Sequence, residues 1–147
     1  MKIYFDVCCL NRPFDDQTQD RIRLESEAIL MILKHIEEND WQWISSDAVL
    51  YEIHKTPNDE RRERLKSLNS RSTSHVPVNR LILARSAEIQ IMGFKTYDAL
   101  HLACAEKAAA DVLLSTDDRL LKKAETSQHS LKINIDNPLT WLQKVVQ

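Results

Sequence analysis

Short apolar runs and longer periodic stretches alternate along the chain. Lys2–Phe5 (KIYF) reads as a short buried strand that stops at Asp6. A polar loop with Pro13 follows over residues 11–19. From Asp20 to about Glu38, Ile22, Ala28, Ile29, Ile32, Leu33 and Ile36 recur at helical spacing, and Asn39-Asp40 ends that helix. Trp41–Ser45 reads as a second strand, and Ser46 or Asp47 can cap a short helix carrying Glu52. Thr56-Pro57-Asn58 breaks it. Residues 58–70 are charged, with only Leu65 and Leu68 to bury, and read as an exposed helical arm. Val76-Pro77-Val78 reads as an extended link. Residues 79–92 carry an apolar stripe of Leu81, Ile82, Ala84, Arg85 and Ile89, closed by Gly93 as a C-cap. Thr96 opens a helix to about Ala109. Asp111–Leu114 is a third strand, followed by a capped helix. Leu131–Ile135 alternates like a fourth strand, and Asn137-Pro138 starts a last helix.

Short strands alternating with helices predict right-handed crossovers. The expected fold is α/β, a three-layer α/β/α arrangement around a mostly parallel four- to five-stranded sheet. Residues 1–147 read as one domain.

Composition narrows the chemistry. The 43% hydrophobic and 29% charged fractions are those of a globular chain. A net charge of −2 exerts no general pull on a phosphate backbone, so nucleic-acid contacts need local patches or bound cations. Gly93 is the only glycine, which excludes dinucleotide and P-loop phosphate cradles, since these need about two or three glycines in one loop. Cys8, Cys9 and Cys104 show no zinc spacing and read as reduced thiols. Neither a signal peptide nor a run of about 18 apolar residues is seen, so the expectation is a cytoplasmic protein.

In an open parallel sheet, ligands bind at the carboxyl ends of the strands. Asp6 closes the first strand. Glu52 lies in the helix after the second. Asp98 lies in the first turn of the helix before the third, and Asp117 and Asp118 follow the third. Each acid has a structural alternative. Asp117 can be a helix cap, Asp98 can favour a helix dipole, and Glu52 can pair with Lys55 on the surface. Asp118 reads as solvent-facing, and His101 as a packed or capping residue rather than a ligand. It is the joint placement that points to function. Converging carboxylates repel one another, and a hard cation, Mg2+ or Mn2+, relieves that repulsion while attracting a phosphodiester.

Four blocks in order carry a resemblance. MKIYFDVCCLNRP, WISSDAVLYEI, KTYDALHLACAEKAAADVLLSTDDRLLKKA and INIDNPLTWL resemble successive segments of PIN domains, and the 95–124 block is the most specific. The resemblance implies an Mg2+- or Mn2+-dependent endoribonuclease, often a VapC-type toxin held by an antitoxin, with RNA as substrate and a homodimer as a further expectation. Carried over, Asp6, Glu52, Asp98 and Asp117 form the acidic quartet, and Ser115 matches the hydroxyl that orients the last acid. The chain departs at Cys8, where members commonly carry Asn or Ser. A thiol is a poorer hydrogen-bonding group, and Asn11 is a candidate to take over its role. The competing reading is a catalytically weak or inactive PIN-like module that binds RNA or a protein partner. An aspartyl phosphatase fits poorly, because the residue two after Asp6 is Cys8, and a receiver domain lacks its acid pair.

Overall fold

A computed structural model describes residues 1–146. Among these residues, five strands form one sheet in the order β3-β2-β1-β4-β5: β1 (Lys2–Phe5), β2 (Gln42–Ser46), β3 (Ser74–Val76), β4 (Val112–Leu114) and β5 (Asn134–Asp136). Every pairing is parallel, with Ile3 in register with Trp43 on one side and Val112 on the other. Ile3, Tyr4 and Phe5 are all buried. Successive side chains of a strand point to opposite faces, so helices must cover both, giving three layers.

The helices are α1 (Val7–Asn11), α2 (Asp20–Glu37), α3 (Asp47–His54), α4 (Asp59–Asn69), α5 (Arg80–Ile91), α6 (Thr96–Lys107), α7 (Asp118–Thr126) and α8 (Pro138–Val145), with a 3-10 turn at Arg12–Phe14. Side-chain caps set several of their starts: Ser46, Asn58, Asn79, Asp117 and Asn137 each accept a first-turn amide. Helix α2 buries Ala28, Ile29, Ile32, Leu33 and Ile36 along one stripe. Helix α6 is buried nearly all round over Leu102–Ala105, as a helix in the middle of the molecule must be. Gly93, at φ 106°, follows α5 in the left-handed conformation that ends helices.

Several expectations need correction. The segment at 76–78 read as a link contributes Val76 to edge strand β3, held by β2 through pairs such as Ser45 with His75. Within the N-terminal loop region, Val7–Phe14 is helical, because burying Val7, Cys9 and Leu10 fixes a turn too short for periodicity to reveal. Strand β5 begins only at Asn134; Leu131 and Ile133 are buried ahead of it. Helix α4 is no free arm: Leu65 is fully buried, and Arg61 donates to Asp15, Asn11 and the Phe14 carbonyl. On α5 the buried residues are Ile82, Ser86 and Ile89, whereas Leu81 is 69% exposed.

The strand order reverses at the boundary between β1 and β4: the chain proceeds outward from β1 to β2 and β3, then crosses to β4 and β5. Crevices for ligands open at such a switch point, beyond the carboxyl ends of the strands.

Candidate functional site

Asp6 sits at that switch point. Its backbone is extended (φ −64°, ψ 150°) and its N–H donates to the Leu114 carbonyl at 2.9 Å, stapling the end of β1 to the end of β4. The side chain is only 7% exposed. Its Oδ2 accepts from Ser115 Oγ at 2.9 Å and lies 3.4 Å from Cys8 Sγ. Ser115 Oγ in turn accepts the Asp117 N–H at 3.1 Å, and Cys8 Sγ accepts the Thr116 N–H at 3.3 Å. One hydroxyl and one thiol thus tie the first and last acids together. Cys8 belongs to this network as a soft donor and acceptor. Asn11 turns elsewhere: its amide donates to the Val7 carbonyl and its oxygen accepts from Arg61.

Glu52 is set by a line of buried polar groups. Ser46 Oγ, which accepts the Val49 N–H and so caps α3, lies 2.7 Å from the Tyr4 hydroxyl. That hydroxyl lies 2.6 Å from His101 Nδ1, and His101 Nε2 lies 2.7 Å from Glu52 Oε1. A buried phenol needs such partners. With Nε2–H donating to Glu52, Nδ1 accepts from Tyr4 and Tyr4 accepts from Ser46, so every member is satisfied. Burial alone would hold the His101 imidazole neutral. The Glu52 hydrogen bond and the charges of Asp6, Glu52 and Asp98 outweigh it and raise the pKa.

Asp98 stands one turn before His101 on α6. Its carboxyl is pushed up to about 6, first by desolvation and then by the negative charges of Asp6, Asp117 and Glu52, against a counteracting His101. Among the described residues, no side chain or amide donates to it. Asp117 accepts from the Arg119 and Leu120 amides, so it caps α7 while it faces Asp98 electrostatically. Asp118 is exposed, as expected, yet grips Arg21 through two bonds of 2.8 and 2.9 Å. The alternative pairing of Glu52 with Lys55 is not formed: Glu52 bonds His101, and Lys55 donates to Tyr97.

Ligand atoms of Asp6, Glu52 and His101 all lie within 4.8 Å of one another. The set suits a hard divalent cation: oxygen donors dominate, and Asp98 and Asp117 add repulsion that a cation would quench. His101 is held by its bond to Glu52, so its fit is as the group that orients a ligand. Sequence reading did not foresee that role. The one available signal is the Asp98-x-x-His101 spacing, which puts both on one helical face.

A family model described as the PIN domain matches residues 3–126. The chain belongs to the PIN domain family. The matched span takes in Asp6, Glu52, Asp98, His101, Ser115 and Asp117, so each side chain of the cluster lies within the PIN domain. Solved structures of the same fold include FitAcB from Neisseria gonorrhoeae, with a TM-score of 0.60 at 16% identity over 92% of this chain and 97% of that one. VapBC-1 from nontypeable Haemophilus influenzae gives 0.58 at 12% over 94% and 98%. VapBC2 from Rickettsia felis, bound to a DNA fragment from its promoter, gives 0.56 at 12% over 93% and 98%. At these identities the likeness is one of fold. No curated protein sequence matches the chain. Among the described residues, no helix is long and apolar enough to cross a membrane.

Proposed function

We propose that this PIN domain is an Mg2+- or Mn2+-dependent endoribonuclease that hydrolyses RNA phosphodiester bonds. The observation that carries the reading is that ligand atoms of Asp6, Glu52 and His101 lie within 4.8 Å of one another, beside an Asp98 whose carboxyl is raised to about 6 first by desolvation and then by the charges of Asp6, Asp117 and Glu52. PIN domains are generally nucleases, which supports the reaction class.

The roles divide by hydrogen bonding. Asp6 is immobilised by Ser115 and Cys8, and Glu52 by His101, each through one oxygen, which leaves the other free for a ligand. Among the described residues Asp98 has no donor, and it is the acid most in need of a cation. Asp6 and Asp98 would hold the metal, with Glu52 and Asp117 completing or orienting the shell. When bound, it would supply the positive charge that attracts the scissile phosphate and acidifies a water for in-line attack. Ser115 and His101 then act by positioning, keeping the carboxylates in place while RNA is bound.

We extend the reading to the toxin of a toxin–antitoxin pair, acting in the cytoplasm. The shared fold with FitAcB and the VapBC structures supports this. Leu81, Leu83 and Ile91 of α5 are 69%, 54% and 88% exposed, apolar side chains available to an antitoxin or a second copy of the chain. The competing reading, a catalytically weak PIN module that binds RNA or a protein partner, draws on Cys8, whose thiol is a weak donor to Asp6.

The test is cleavage of single-stranded and structured RNA with Mg2+, with Mn2+ and with chelator, comparing wild type with folded Asp6→Asn and Asp98→Asn. Metal-dependent cleavage lost in both variants supports the proposal. Undiminished cleavage in either variant overturns the assignment, and Mn2+ binding without cleavage favours the inactive module.

A further inference from the structure

The two helices that carry Glu52 and Asp98 also carry an aromatic pair, one ring exposed and the other half-buried. Tyr51 immediately precedes Glu52 in α3, and Tyr97 immediately precedes Asp98 in α6. Their ring centroids are 5.8 Å apart, with planes inclined by 38°. Lys55 joins them: its Nζ donates to Tyr97 Oη at 2.7 Å and lies 4.6 Å from the Tyr51 centroid and 5.4 Å from that of Tyr97. Tyr51 is 53% exposed, so much of the side chain next to Glu52 in the chain is open to solvent.

Lys55 is held by the two tyrosines rather than by a carboxylate. Arg12, Arg21, Arg61 and Arg85 are each paired with a carboxylate. Among the described residues, Lys55 pairs with none, since Glu52, one turn away, is directed to His101. A cation held over two rings, beside carboxylates that would otherwise repel a phosphate, is a complement to a nucleotide: a flat π face for the base and an ammonium for the phosphate.

We propose that Tyr51, Tyr97 and Lys55 form a subsite that stacks one unpaired nucleobase of single-stranded RNA and contacts its phosphate beside the acidic cluster. This rests on the ribonuclease reading. The subsite favours single strands, because a base inside a duplex exposes no face to stack. It tolerates any base, because every base has such a face.

The test measures binding and turnover separately. Fluorescence anisotropy with a labelled single-stranded oligoribonucleotide, in chelator so that nothing is cut, compares wild type with Tyr51→Ala, Tyr51→Trp and Lys55→Gln. Circular dichroism checks that each is folded. Loss of one stacked base corresponds to roughly 5- to 150-fold in affinity. Tyr51→Ala is expected to weaken binding within that range, Tyr51→Trp to retain it, and Lys55→Gln to flatten the salt dependence. A duplex of the same sequence is expected to bind equally to all four. With metal restored, Tyr51→Ala is expected to raise KM in the same proportion with kcat within about twofold, since stacking acts alike on bound and reacting RNA. Tyr51→Ala binding within twofold of wild type, or a wild type that does not bind single strands, overturns the subsite. Absence of cleavage with the binding differences intact overturns the ribonuclease reading instead.

Discussion

Replacing Asp98 by Asn removes a charge that the fold holds at a disadvantage. The carboxyl sits at about 6 against an ordinary 3.8, a rise driven first by desolvation and then by Asp6 and Asp117. Because the folded pKa is the higher one, the penalty is absent below about pH 4, where the group is protonated in both states. It builds as pH rises toward 6 and is complete above that. A rise of about two units corresponds to about 3 kcal/mol. Asp98 is partly open to solvent, and screening halves this to about 1.5 kcal/mol. For a chain of this length that is about 4 °C in Tm. The assay is thermal unfolding by circular dichroism in chelator, from pH 4.5 to 8. Asp98→Asn is expected to melt about 4 °C above wild type at pH 7.5, with the gap closing toward pH 4.5. Saturating Mn2+ reverses the order, because wild type gains about 2.7 kcal/mol at a hundredfold excess over Kd and the variant loses a ligand. A variant less stable than wild type in chelator at pH 7.5, or a gap that ignores pH, refutes the electrostatic reasoning.

Three further substitutions probe the groups behind the acids. Ser115→Ala removes the donor to Asp6 and the acceptor of the Asp117 amide; Mn2+ affinity is expected to fall by about 10- to 100-fold, read by calorimetry, with a loss of about 1–3 kcal/mol in urea unfolding. His101→Phe keeps the ring volume but removes the partner of Glu52 and one of the two partners of the buried Tyr4 hydroxyl; urea unfolding is expected to show a loss of about 1–3 kcal/mol. Glu25 is 2% exposed and accepts from Arg12, Arg21 and Asn137, which joins α2 to the start of α8. Glu25→Ala is expected to cost about 3–5 kcal/mol in urea unfolding, and the folded fraction is expected to bind Mn2+ as wild type does.

How far the chain could be read in advance followed from the range of the forces involved. Strands β1 and β4 are buried on both faces and show as apolar runs, β2 shows only Trp43-Ile44 ahead of two buried serines, and α2 shows its stripe. Edge strand β3 is Ser74-His75-Val76, polar and three residues long, and exists only because β2 offers an open edge. Helix α1 is shorter than the period that would announce it. Asp6, Asp98 and Asp117 could be singled out because they stand at a strand end, in a first helical turn and at a helix cap, positions that topology brings together, and Glu52 because it lies in the helix that follows β2. His101 and Tyr4 could not, because their partners lie 49 and 42 or 97 residues away, and nothing local in the sequence says that a histidine on an apolar helix meets a tyrosine in the central strand. The platform of Tyr51, Tyr97 and Lys55 was hidden for the same reason: it spans α3 and α6, which meet only in the folded chain.

The claim on which the proposed chemistry depends is that these acids share one divalent cation. Electron paramagnetic resonance of Mn2+ titrated into the protein at pH 7.5 reads the free ion directly. Wild type is expected to deplete the free signal with saturable binding, and Asp6→Asn to bind at least about tenfold more weakly. A wild type that leaves the free Mn2+ signal untouched, or an Asp6→Asn variant that depletes it equally, contradicts the shared site.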